Sequence, residues 1–110
     1  MKCQDSRPYN KRALEKVFAS RDVKIICEAL VSIALNDSDW RRAQNKCLEF
    51  LSDESPDVRA LAATCLGHIA RIHRQLDKEK VLIAFREHLD DSIISGQIAD
   101  ALDDIDIFLR

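Results

Sequence analysis

A chain of 110 residues, 46% hydrophobic and 33% charged, is long enough for one core and too short for two ordinary domains. Its two Gly and two Pro leave little turn chemistry, which disfavours hairpins and points to helices joined by short polar links. A net charge of -2 lacks the basic excess of a general polyanion binder, and Met1 to Asn10 is too polar for a secretory leader, so a cytoplasmic chain without membrane association is expected.

Taken in order, Lys11 to Ala19 sets Leu14, Val17 and Phe18 on one side, and Asp22 to Leu35 sets Ile26, Leu30 and Ile33 at helical spacing. The run Asn36-Asp37-Ser38-Asp39 supplies turn and N-cap chemistry for a third helix with the apolar stripe Trp40, Ala43, Cys47, Leu48 and Leu51. Ser52 to Ser55 breaks it. Ser55 as N-cap and Pro56 in the first turn, where a missing N–H costs nothing, start a fourth helix that runs to about Arg74. Its small residues Ala60, Ala62, Ala63, Thr64, Cys65 and Gly67 let a neighbour approach over Val58, Leu66 and Ile69, so this helix is predicted to be central. Lys78 to Leu89 places Val81, Leu82, Phe85 and Leu89 inward. Asp90-Asp91-Ser92 then breaks that helix and caps a sixth, with Ile94, Ile98, Ala101, Leu102, Ile105 and Leu109 as its apolar residues.

The second helix of each pair repeats at a spacing of 36: Leu30, Leu66 and Leu102, then Ile33, Ile69 and Ile105, with Ile26, Ala62, Ile98 and Ala29, Cys65, Ala101 matching in kind. The first helices align less regularly, Leu51 and Leu89 being 38 apart. Such a period means stacked helix pairs, none of which can bury its apolar face alone. The prediction is an all-α fold, a short α-solenoid of six helices, forming one domain over residues 1–110 with pairs at about 11–35, 39–74 and 78–110.

Leu48, Leu51, Asp53, Pro56, Asp57, Val58, Arg59, Ala60, Ala62, Ala63, Leu66 and Gly67 together resemble a HEAT repeat: an apolar helix ending in leucines, an acidic turn with proline, Val-Arg, alanines and Leu-Gly. The flanking repeats depart from it, with Asp22-Val23-Lys24 and Ile93-Ile94-Ser95 in the Val-Arg region. The resemblance implies a surface of second helices that holds another macromolecule, and it implies no reaction. In size, fold and acidity the chain is also similar to small bacterial immunity proteins of contact-dependent inhibition systems, some of which neutralise a nuclease toxin.

The residues themselves offer little chemistry. Cys3, Cys27, Cys47 and Cys65 contain no Cys-x-x-Cys pair, and three of them fall at apolar helix positions, which reads as reduced core residues. His68 and His73, five apart on one helix, diverge by roughly 140°, poor geometry for a shared metal. His88 falls where a helix C-terminus would welcome it. No glycine-shaped nucleophile turn, phosphate loop or dinucleotide fingerprint is present, so no enzyme, cofactor or metal is expected. Basic clusters at Arg41, Arg42 and Lys46 and at Arg71, Arg74, Lys78 and Lys80 are interleaved with acids, which disfavours direct nucleic-acid binding.

Residues 1–50 hold ten Lys/Arg against seven Asp/Glu, and residues 51–110 hold seven against twelve, so the acidic half suits a basic partner. In the last helix Ile93, Gln97, Asp100, Asp104 and Ile107 form a ridge. Stepping back by 36 gives Asp57, Leu61, Thr64, His68 and Arg71, and then Arg21, Ile25, Glu28, Ser32 and Leu35. Stacked, these ridges would make one recognition face with Glu28, Ser32, Thr64, His68, Arg71, Asp100 and Asp104, flanked by Asp103. The reading is a monomer or weak homodimer that binds a protein, a basic toxin (nuclease) domain in the first instance. The alternative is a HEAT-repeat scaffold or adaptor subunit that binds a cellular protein or peptide.

Overall fold

The helix boundaries follow from capping chemistry. Asp22 accepts the Ile25 N–H, Asp39 accepts the Arg42 N–H, and the Ser55 hydroxyl accepts the Val58 N–H, each satisfying an otherwise orphaned donor in a first turn. The computed structural model describes residues 11–109, so Cys3 and the Met1 to Asn10 stretch lie outside the described residues. Six helices result: α1 (Lys11–Ala19), α2 (Val23–Asn36), α3 (Trp40–Phe50), α4 (Pro56–His73), α5 (Lys78–Glu87) and α6 (Ser95–Phe108). The described residues contain no strand.

Two expectations fail at the last link. Helix α5 stops at Glu87 with His88 as its C-cap, so Leu89 leaves the helical period and stands 61% exposed instead of pointing inward. Nor does Asp90-Asp91-Ser92 cap α6. Ile94 holds the N-cap position and makes no side-chain cap bond, while Asp91 accepts the Ile93 N–H and pairs with Arg59 at 2.9 Å. Asp91 is thus spent on joining two links, and a buried Ile94 fixes the start of the helix by packing.

The even helices stack, with α4 packed against both α2 and α6, and α3 lies across α2 and α4. The 36-residue register is a register of burial. Ile26, Ala62 and Ile98, Ala29, Cys65 and Ala101, and Ile33, Ile69 and Ile105 are all buried, as are Leu30 and Leu66, while Leu102 at the end of the stack is half-buried. The odd helices bring Leu14 and Phe18, Ala43 and Cys47, and Val81 and Phe85 into the same core. Phe50 also joins it, against Phe18 with ring centroids 5.0 Å apart. Extents of 41 × 31 × 18 Å fit two layers of helices, each about 10 Å across.

Polar side chains join one link of the chain to the next. Arg21 reaches Asp53 and Glu54, and Arg59 bonds the Asp53 and Glu54 carbonyls besides Asp91. Gln44 is fully buried, and its Oε1 accepts the Asp77 N–H at 2.6 Å as the chain turns into α5. A buried amide would cost on the order of 1–3 kcal/mol if left unpaired. The bond to Asp77 therefore fixes where the last pair docks. Trp40 Nε1 donates to Gln75, and Lys80 donates to Asn45, across the same gap.

Candidate protein-binding face

The seam between α4 and α6 is set by Gly67. A Cβ added there would lie 2.8 Å from Asp104 Oδ2 and 3.0 Å from the Ala101 Cα. The small-residue stripe of α4 therefore does bring a neighbour close, and it seats the Asp104 carboxylate over bare backbone. Replacing a helical glycine by alanine ordinarily gains about 1 kcal/mol. Here the Ala101 backbone cannot yield, so Gly67→Ala is expected to destabilise by roughly 1–3 kcal/mol in urea unfolding. Gly96→Ala, where nothing lies within 4 Å, should be neutral or stabilising.

Beside that seat the structure brings three ridge residues together. Arg71 Nη2 donates to His68 Nδ1 at 2.8 Å, and Asp104 lies close enough to His68 to act on its charge. Burial first, then the Arg71 guanidinium, holds the half-buried His68 below the ordinary imidazole range, with Asp104 opposing. His73 points elsewhere, to the Ala34 carbonyl at 3.2 Å, tying the end of α4 to α2. The two histidines do diverge, and His73 has a structural task that its spacing did not reveal.

The other candidates for the face stand apart. Glu28, Asp100 and Asp103 are exposed, and Ser32 and Thr64 are half-buried. Among the described residues none of these five carries a side-chain hydrogen bond or ion pair. Exposed Ile25 and Ile93 lie toward the start of the even helices, and exposed Leu35 and Ile107 toward their ends. Arg74, stacked 5.2 Å over Phe108, closes that end against α6.

Charge divides between the layers. Helix α6 holds Asp100, Asp103, Asp104 and Asp106 with no Lys or Arg between Ser95 and Phe108, and it has no acid in its first turn and no base in its last. Three of these carboxylates therefore sit toward the end of the helix whose exposed carbonyls disfavour negative charge. The odd helices carry the cations Arg12 and Lys16, Arg41 and Lys46, and Lys78 and Lys80. A hollow of about 400 Å³ between α1 and α3 is partly filled by Lys46, which lies over Phe18 and pairs with Glu49.

The remaining candidates for chemistry are core groups. Cys47 and Cys65 are fully buried, and a hydrogen bond between the Cys47 thiol and Cys65 together with burial pushes the Cys47 thiol well up, away from thiolate reactivity. Cys27 is half-buried, and burial raises its thiol too. Among the described residues no group of three His, Cys, Asp or Glu side chains could hold a metal ion. No helix among them is long and apolar enough to cross a membrane.

Residues 43–73, most of α3 and all of α4, match the HEAT repeat family. No curated protein matches the chain. Among solved structures the chain is similar to one in the crystal structure of the CDI complex from Cupriavidus taiwanensis LMG 19424, with 31% identity, a TM-score of 0.83, and coverage of 100% of this chain and 99% of that one. With identity at that level along both chains end to end, this protein belongs to the same family as that chain of the CDI complex, and its central residues carry the HEAT match.

Proposed function

We propose that the protein is an immunity protein that works in the cytosol, binding a cognate toxin domain stoichiometrically through the face formed by α2, α4 and α6. The observation that carries this reading is the full-length likeness to a chain of a CDI complex, a protein that is itself part of an assembly. The toxin is a nuclease in this reading. An enzyme that cuts a phosphodiester backbone must set Lys, Arg or His where phosphate sits, and the carboxylates of α6 complement such a surface. Helix α6 supports it further, because it gathers four aspartates with no Lys or Arg among them, an acidic edge that a basic surface can meet. Blocking a site needs binding and no catalysis.

The test is capture of the tagged chain from its host together with whatever binds it, followed by isolation of the complex and release of the toxin. A complex of near-equal stoichiometry, with the nuclease silent in it and active once released, is the expected result. A toxin that stays fully active in the presence of excess protein overturns the reading. Capture of a housekeeping protein at equal stoichiometry would favour the adaptor alternative instead.

A further inference from the structure

We propose, building on the immunity reading, that complex formation on this face is linked to a proton at His68: a cationic partner surface meets the neutral imidazole, and proton uptake there opposes the complex. The geometry is specific about the protonation state. Nδ1 accepts the Arg71 guanidinium at 2.8 Å, and only an unprotonated ring nitrogen can accept. His68 therefore stands as the neutral Nε2–H tautomer, assigned by its partner. A second proton would place N–H against N–H, break this bond, and set an imidazolium beside the guanidinium.

The surroundings fix the direction of the effect. The charged groups acting on His68 are Arg71 from its own helix, which opposes protonation, and Asp104 from α6, which favours it. On α2 the register places uncharged Ser32 alongside, with Glu28 one turn away along the ridge. A docked basic surface adds cations and removes water, and both disfavour the imidazolium further. It also engages Asp104, the one group that favours it. His68 thus binds its proton less well in the complex than free, and by linkage affinity must fall as pH drops through the free-state value. That value lies below the ordinary 6.5, so affinity should be level above neutral pH and decline in the acid range. A single linked proton makes the decline at most about tenfold per pH unit.

The measurement is the dissociation constant for the toxin domain isolated in that complex, from pH 5.0 to 8.0, for the wild type and His68→Asn. The asparagine carbonyl can take the Nδ1 position as an acceptor for Arg71 and does not titrate. The wild type should lose affinity by up to tenfold per unit below the His68 transition, and His68→Asn, whatever its affinity at neutral pH, should show a flatter profile. Equal slopes in the two proteins overturn the proton link and leave the immunity reading standing. Absence of binding at every pH removes both. A proton NMR titration of the free wild type adds a readout that needs no partner. His68 is expected to titrate below 6.5, and a transition at or above that value overturns the inference.

Discussion

Asp100→Lys combined with Asp103→Lys is expected to weaken toxin binding on the order of a hundredfold while leaving the melting temperature unchanged or raised. Both side chains are exposed and carry no side-chain bond among the described residues, so nothing in the fold depends on them. Lysine favours a helix more than aspartate does, so the free protein keeps or gains stability from the change. A basic partner meets repulsion where it met attraction. Opposite signs in affinity and stability separate loss of recognition from loss of fold. Affinity by calorimetry and thermal unfolding on the same sample check both, and unchanged affinity would remove α6 from the interface. The ridge pattern alone would pair Asp100 with Asp104. Asp104 is a poor choice for that test, because its Oδ2 sits over Gly67 and a lysine there would disturb the seam itself.

Leu66→Ala should give the largest loss of stability, roughly 3–4 kcal/mol in urea unfolding. Leu66 is fully buried in α4, and α4 packs on α2, α3 and α6, so a cavity there cannot be closed by moving one neighbour. The equivalent Leu102→Ala in α6 should cost roughly half of that, because this leucine is already half in water. The two residues share type and register and differ in how many layers cover them. Equal losses would contradict a stack in which α4 is central.

The even helices were legible in the sequence because each packs in the same row. Ile33, Ile69 and Ile105 meet the same surroundings three times, and selection for burial writes one spacing into the chain. The odd helices share a core pattern, Leu14 with Phe18, Ala43 with Cys47, Val81 with Phe85, but links of different length hide it. Residues 51–55 join α3 to α4, whereas residues 88–94 join α5 to α6. Placing Leu89 inward followed from carrying a helical period into that longer link. Gln44 is not legible as a core residue, because polarity marks a surface position until its partner, the Asp77 N–H, is known. The meeting of His68, Arg71 and Asp104 was half legible. The i, i+3 spacing of His68 and Arg71 lies in the sequence, while the distance of Asp104 from His68 depends on how closely Gly67 lets α6 approach. Along the chain charge differs between the halves, but the fold divides it between layers, gathering the aspartates on one edge of the even helices.

Five of the eight residues of the candidate face, Glu28, Ser32, Thr64, Asp100 and Asp103, are held by no side-chain bond among the described residues, whereas His68, Arg71 and Asp104 meet at the α4–α6 seam. On the reading proposed above, substitutions at the five alter what a partner meets and leave the bonding of the stack as it was. Such positions can drift, generation by generation, to follow a changing toxin. The seam supplies a fixed point of reference that such drift would leave in place, so one scaffold could diversify into many mutually exclusive toxin and immunity pairs before its stability became limiting.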